Sequence, residues 1–342
     1  MDNIGLDLHK RESQLCILTE DGEVLERRIV TSRERFTGVL GDRPRARVLL
    51  EASTESEWVA RHLESLGHEV IVADPNFAPM YATRTRRVKT DRRDARTLAE
   101  ACRLGAFRPA HRLSDPQRHV RAELAVRDAL VRTRTRYVAV IKALVRRDGL
   151  RLPSGEPERT AAKLAAVPLP PALAEELGPL LALLTPLNAQ IDAADQRLEA
   201  LATGDPVVAR LTTAPTIGPV TAVAFVATLD EVGRFTGAHQ VAAYLGLTPS
   251  EKSSGEQQRR GRISKTGNSR MRYLLVEAAW RVLRTKNPAA APLRTWAEGI
   301  AQRRGRSIAA VALARRLAGI LYAMWRDGQD YRATRQSMAA VA

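Results

Sequence analysis

The apolar positions near the start of the chain come in short strand-length runs. Residues 3–9 (NIGLDLH) and 13–19 (SQLCILT) predict two strands, and Asp21-Gly22 turns the chain into a third at 23–30 (EVLERRIV). A helix near 32–40, a buried strand at 46–51 (ARVLLE), a helix near 55–67 and a strand at 68–74 follow. Asp74-Pro75 breaks the pattern, and a last helix spans 92–104 before Gly105. The order β-β-β-α-β-α-β-α predicts three antiparallel strands extended by parallel ones, with helices on the faces. Residues 117–149 then read as one long helix carrying Arg121, Arg127, Arg132, Arg134, Arg136, Arg146 and Arg147. In the next stretch Leu173, Leu177, Leu180, Leu184, Leu187, Ile191, Ala194, Leu198 and Leu201 alternate steps of four and three, the spacing of a coiled-coil seam. Pro179 and Pro186 interrupt it and predict a kinked or late-starting helix. The seam fits a helical hairpin and an oligomer contact equally well.

From Gly204-Asp205-Pro206 a third region begins. Residues 211–229 read as two helices around a tight turn at Pro215-Thr216-Ile217-Gly218. The segment after Gly246-Leu247-Thr248-Pro249 is a polar loop, and helices fill most of 269–326. The expected division is therefore 1–112, mixed α/β; 113–203, long helices or coiled coil; and 204–342, mainly helical.

Composition narrows the partners. In 342 residues the formal charge is +16, which favours a polyanion, and nucleic acid is the usual one. Anionic membrane competes, but no apolar run approaches the roughly 20 residues of a bilayer span, and MDNIGLDLHK lacks the layout of a signal peptide. Cys16 and Cys102 are the only cysteines, too few for a disulfide framework or a zinc site. These features predict a soluble, cytoplasmic, nucleoid-associated protein. Aromatic residues make up 4%, which argues for phosphate-backbone contacts over base stacking.

Four acids are candidates for a metal site. Asp7 lies inside the first strand, where an unpaired charge is costly to bury. Glu51 ends a buried strand at the edge where open sheets place ligands. Asp91 and Asp94 are three apart and share a helix face. They sit within a basic tract containing Arg84, Arg86, Arg87, Lys89, Arg92, Arg93 and Arg96. Hard cations take several oxygen ligands and leave positions for phosphate oxygens, and two ions can hold both oxygens of a phosphoryl displacement. Arginines would hold a strand while aspartates hold the metal. Taken singly, each acid also fits a salt bridge or a cap, and His9 reads as structural. The polar loop offers Ser250, Ser253, Ser254 and Ser264 as hydroxyls, with Arg259, Arg260, Arg262, Lys265, Arg270 and Arg272 as cations around them. Spacing alone does not choose among the serines.

The run IGLDLHK … LLEAST … KTDRRDARTLAE resembles the DEDD transposases, the one-hundred-and-ten family of insertion-sequence enzymes. GLTPSEKSSGEQQRRGRISKTGNSRMR resembles the signature of their C-terminal domain. The resemblance spans nearly the whole chain and is weakest between about 110 and 205. It implies a RuvC-like N-terminal domain of RNase H fold with Asp7, Glu51, Asp91 and Asp94 as the tetrad. One or two Mg²⁺ ions, or Mn²⁺, would be its cofactors. The nucleophilic serine is implied at Ser254. PTIGPVTA resembles a helix-hairpin-helix, with Gly218 as its flexible point and Thr216 where glycine is more common. The activity implied is excision and site-specific integration of a mobile element in double-stranded DNA, or inversion of a segment. Many relatives are guided by a noncoding RNA of the element, and relatives assemble as dimers and tetramers.

Three rival readings fit parts of the chain. A metal-only nuclease of the RuvC or RNase H kind would leave Ser254 as a loop residue. An actin-like sugar kinase shares the G-x-D first strand, but His9-Lys10 stands where that fold prefers glycine. A non-catalytic nucleic-acid-binding protein would not need the tetrad and the Ser-Gly loop together.

Overall fold

The computed structural model describes residues 1–82, 90–251 and 260–333, with residues 251 and 260 described by their backbone alone. The chain divides into two compact units, Met1–Arg112 and Leu113–Ala342.

The first unit is a mixed α/β layer structure. Strands β1 (Asn3–Leu8), β2 (Glu12–Leu18) and β3 (Val24–Val30) form an antiparallel meander, with Gly22 in the left-handed region at the β2–β3 turn. Helix α1 (Arg33–Leu40), β4 (Arg47–Glu51), α2 (Ser56–Ser65) and β5 (Glu69–Ala73) follow, with β4 parallel to β1 and β5 parallel to β4. The sheet order is β3-β2-β1-β4-β5. Side chains alternate across a strand, so each strand serves two faces. Ile4, Leu6, Val48, Leu50 and Val72 pack on one face with Phe36 and Leu40 of α1 and Val59 and Leu63 of α2. Leu49 and Ala73 face the other way, towards α3 (Asp91–Leu104), where they meet Leu98, Ala101 and Cys102.

Helix α3 starts where Thr90 caps it, accepting the Arg93 amide at 3.4 Å, and stops at Gly105 in the left-handed conformation. Its approach to the sheet is unusually close. A Cβ at Gly5 would lie 2.0 Å from the Ala95 carbonyl oxygen and 2.2 Å from the Ala99 nitrogen, so only glycine fits under the helix. Cys16 packs beside Ala95 and Ala99 in the same small-residue seam. Burial pushes its thiol up to about 11, so it acts as an apolar packing group.

Among its described residues, the second unit is helical apart from one ribbon. Helix α4 (Asp115–Arg147) pairs with α6 (Pro171–Gly204), with α5 (Thr160–Ala165) between them in the chain. Leu173, Leu177 and Leu184 of α6 bury against Val138, Ile141 and Val145 of α4. The heptad face is thus occupied within the chain, as a helical hairpin. Pro179 and Pro186 do not break α6, which runs as one helix of 34 residues. Both prolines are exposed and seven residues apart, so they lie on the outward stripe where the freed carbonyls can meet water.

Several arginines of α4 are paired internally. Arg127 meets Asp195, Arg132 meets Asp128 at 2.8 Å, Arg134 meets Glu158 at 2.7 Å and Arg147 meets Glu176 at 2.7 Å. Residues 204–342 share the compact unit with α4 and α6. Helices α7 (Pro206–Leu211) and α8 (Pro219–Leu229) flank a turn, and every α8 residue from Thr221 to Leu229 is buried. Around it lie α4, α6, α7 and α10 (Ser269–Arg284). Preceding α10 are α9 (Ala238–Tyr244) and the antiparallel strands β6 (Pro249–Glu251) and β7 (Arg260–Ile263). This ribbon replaces the continuous polar loop expected from the sequence. Its strands lack an apolar face, so no period-two pattern marks them.

Helices α11 (Ala291–Arg304) and α12 (Arg306–Asp327) complete the unit. α12 is long and apolar enough to cross a membrane, but two-thirds of its apolar window (67%) is buried, and it packs on α9, α10 and α11 as a core helix.

The turn before α8 differs from the sequence expectation in one respect. Gly218 has an ordinary extended backbone (φ −91°), whereas Thr216 takes the left-handed conformation (φ 67°). A β-branched residue is strained there. Its Oγ1 donates to the Ala278 carbonyl at 3.0 Å, which offsets part of that cost.

Candidate functional site

Register and periodicity bring the first two acids together. Leu6 pairs with Leu50 across parallel strands, so Asp7 and Glu51 come one step later at the same level, at the C-terminal ends of β1 and β4. Because Leu6 and Leu50 face α1 and α2, Asp7 and Glu51 project to the opposite face, where α3 lies. The Gly5 contact with Ala95 and Ala99 fixes α3 against β1. Asp94 directly precedes Ala95 and Asp91 lies one turn earlier, so both sit towards the Asp7 end of the strand. Asp94 is 5% exposed and Asp91 is open to solvent.

The electrostatics of Asp7 register the neighbouring acids. Burial pushes the Asp7 carboxyl up to about 6; His9 opposes the shift, while the negative charges of Asp94, Asp91 and Glu51 add to it. The Asp7 side chain is 15% exposed, and its Oδ2 is buried with no hydrogen-bond partner among the described residues. The His9 Nε2 stands 3.3 Å from this oxygen, within ion-pair range but without hydrogen-bond geometry, and 3.5 Å from Asp91 Oδ1. Ligand atoms of Asp7, His9 and Asp91 all fall within 4.8 Å of one another, a spacing that could hold a metal ion.

Tyr81 carries no signal in the sequence. Its hydroxyl donates to Glu51 Oε1 at 2.7 Å and orients that carboxylate at the mouth of the site. The two residues are 30 apart in the chain and share no motif. His9 was expected to be structural, and only its position between two acids distinguishes it. Asp7, with its desolvated, unsatisfied oxygen, and Asp91 lie at ligand spacing with His9, while Glu51 and Asp94 act on Asp7 through their charge and fall outside that group. The carboxylates are oxygen donors of the kind a hard divalent cation takes.

The cationic candidates are placed unequally. Arg86, Arg87, Lys89, Ser254 and Arg259 lie outside the described residues. Arg92 pairs with Glu26 of β3, and Arg93 is exposed on the first turn of α3. The Arg260 backbone lies opposite Glu251 in the antiparallel β6–β7 register. Arg262 is exposed and without an acidic partner among the described residues, and its carbonyl accepts from the Ser250 hydroxyl at 3.0 Å. A Cβ at Gly261 would lie 2.6 Å from that hydroxyl. Lys265 is exposed, with a left-handed backbone (φ 57°). Arg270 is mostly buried and pairs with Asp128, while Arg272 donates to the Leu245 carbonyl at 3.1 Å and to that of Thr266. These last two guanidiniums hold their own unit together. Of the four candidate serines, Ser250 and Ser264 are engaged locally, Ser264 with Thr266 Oγ1 at 3.1 Å.

Known proteins similar to this chain in sequence bear on what the site does. The profile of the Transposase IS116/IS110/IS902 family matches residues 208–293, and a DEDD transposase profile of the IS110 type matches residues 4–147. A probable family 20 transposase of Pseudomonas aeruginosa is 34% identical over 342 residues, covering 97% of this chain and 99% of its own. The transposase for insertion sequence element IS1111A of Coxiella burnetii is 29% identical over 334 residues, covering 96% and 91%. The transposase for element IS1328 of Yersinia enterocolitica is 29% identical over 329 residues, covering 95% and 97%. Family profiles at both ends of the chain and a full-length relative lead to one assignment: the chain belongs to the IS116/IS110/IS902 family of transposases, enzymes that cut and rejoin DNA.

Proposed function

We propose that this transposase excises and integrates its element with Ser254 as nucleophile, Asp7, Glu51, Asp91 and Asp94 as ligands of Mg²⁺, and an element-encoded noncoding RNA as guide. The observation that carries the reading is a buried Asp7 oxygen that lacks a hydrogen bond, with Asp91 at ligand spacing and the charges of Asp94, Asp91 and Glu51 all acting on it. Without a cation such a group costs stability. The first unit is read as a RuvC-like, RNase H-fold domain, a reading supported by three antiparallel strands continued by two parallel ones. One or two ions would be held, with Mn²⁺ able to replace Mg²⁺. When bound, the ion offsets the acids' repulsion, polarises a phosphate and stabilises a leaving 3′-oxygen.

The chain's own groups have separate tasks. Tyr81 orients Glu51, and Gly5 lets α3 bring Asp91 and Asp94 to Asp7. The Ser254 hydroxyl gives up its proton and forms an Oγ–P bond as the P–O3′ bond breaks, and the departing oxygen takes up a proton. Because the new bond is an ester like the old one, rejoining needs no ATP. Arg262 and Lys265, exposed around the serine ribbon, are read as phosphate contacts, as is the turn at 212–218 in the manner of a helix-hairpin-helix. RNA guidance is supported by the charge of +16 and the scarcity of stacking aromatics. The protein is read as acting at the nucleoid as a dimer or tetramer. The heptad face of α6 already packs on α4, so contacts between subunits would use other surfaces.

The test uses the full chain with its copurifying RNA and a duplex spanning an element end. Wild type should yield a covalent protein–DNA adduct, Ser254→Ala should lose it, and Asp91→Asn should lose cleavage while keeping DNA binding. Cutting by Ser254→Ala at the wild-type rate would establish the metal-only nuclease instead.

A further inference from the structure

We propose that His9 is a ligand of the metal site, so that the centre has an imidazole nitrogen among its carboxylate oxygens and favours Mn²⁺ over Mg²⁺. The inference rests on the carboxylate metal centre proposed above. It starts from spacing. Two donors on one ion, with arms of about 2.1 Å and an angle between about 90° and 110°, are about 3.0–3.5 Å apart. His9 Nε2 lies 3.3 Å from Asp7 Oδ2 and 3.5 Å from Asp91 Oδ1. His9 Nε2 is therefore at the separation of a neighbouring ligand from each acid, and all three donor atoms lie within 4.8 Å of one another. No other group of three His, Cys, Asp or Glu side chains among the described residues lies within 4.8 Å of one another in this way.

The backbone holds the imidazole in place. His9 follows β1 directly, and its carbonyl accepts from Thr31 Oγ1 at 2.7 Å. That hydroxyl also shares a 2.7 Å hydrogen bond with Ser13, and the Thr31 amide donates to the Arg11 carbonyl at 2.9 Å. The short β1–β2 connection is thereby tied to the end of β3, and the ring cannot drift far from the acids. The His9 side chain is 54% exposed, so nothing in the core requires an imidazole at this position. A counter-ion role alone would be served as well by lysine or arginine, which are plentiful here. Imidazole differs from both in offering a lone pair to a cation. Mg²⁺ prefers an all-oxygen shell, whereas Mn²⁺ and later ions accept nitrogen, so one such donor shifts selectivity towards them.

Two measurements on the full-length protein at fixed pH test this, with Mn²⁺ or Mg²⁺ alone as the ligand. Pulsed EPR of Mn²⁺ bound to wild type should show nitrogen-14 coupling from a directly bound imidazole, and His9→Gln should abolish it. Titration calorimetry should show Mn²⁺ binding weakened about 10-fold or more in His9→Gln, with Mg²⁺ changed less than about 3-fold. Mn²⁺ binding that is lost in Asp91→Asn but shows no nitrogen coupling would overturn the role of His9 and leave the carboxylate centre standing. Mn²⁺ binding insensitive to Asp91→Asn, or no binding at all, would overturn both. Equal affinities in wild type and His9→Gln would also refute the proposal.

Discussion

Replacing Asp7 with asparagine should make the metal-free protein more stable while destroying its activity. The folded carboxyl titrates at about 6 against 3.8 for the free side chain, a shift of about two units. At about 1.4 kcal/mol per unit this sets an upper bound of about 3 kcal/mol. The sign follows from the direction of the shift. A raised acid favours the folded state fully below pH 3.8, and that contribution disappears as pH rises through about 6. Above pH 6 the ionised, poorly solvated carboxylate remains among Asp94, Asp91 and Glu51. Allowing for the 15% exposure of the side chain and for relaxation around it, Asp7→Asn should gain about 1–2 kcal/mol at pH 7.5 in EDTA. At pH 4 the gain should vanish. Amide hydrogen exchange in β1 and β4 is the suitable assay because it reports the first unit alone. Adding Mg²⁺ should slow exchange in wild type and leave the variant unchanged. If the variant exchanges faster than wild type at pH 7.5 without metal, Asp7 is held by favourable bonds and the electrostatic account of the centre fails.

Three further outcomes are expected. At position 216 the usual order of residues should invert: Thr216→Gly should be near neutral, since relief of left-handed strain balances the lost bond to Ala278, whereas Thr216→Ala should cost about 1 kcal/mol. Urea midpoints decide it, and alanine more stable than glycine would contradict the strain. Arg270→Ala should lower stability by about 1–2 kcal/mol, because it strips the partner from Asp128 Oδ1 and leaves that half-buried carboxylate only the exposed Arg132 on its other oxygen; a variant of unchanged midpoint that binds DNA weakly would place Arg270 on the nucleic acid instead. Affinity for duplex DNA should fall about 10³-fold or more between 50 and 200 mM salt, by fluorescence anisotropy, if about six or more phosphates are neutralised. A flat response would mean that the basic residues face protein or solvent.

The first unit was legible in the sequence because its signals are local. Apolar runs bounded by Asp21-Gly22 and Asp74-Pro75 placed the strands of the sheet to within a residue or two, and Gly105 marked the end of α3. Asp7, Glu51, Asp91 and Asp94 were picked out by charge in apolar surroundings and by helix spacing, both of which survive in a one-dimensional reading. What escaped depends on distant partners. Tyr81 meets Glu51 across thirty residues, and Arg270 meets Asp128 from another helix. Polar β6 and β7 carry no alternation because neither buries a face. Pro179 and Pro186 predicted a kinked or late-starting helix, but α6 starts at Pro171, ahead of both; their exposure on one side keeps it continuous, and exposure is a tertiary property.

Gly5 has a consequence for the genetics of the element. A copy of the gene can keep every acid and its serine intact and still be dead, because one base change from a glycine codon to alanine or valine would lift α3 off the sheet and carry Asp91 and Asp94 away from Asp7. Surveys that separate working copies from relics should therefore score this silent-looking position together with the residues that do the chemistry.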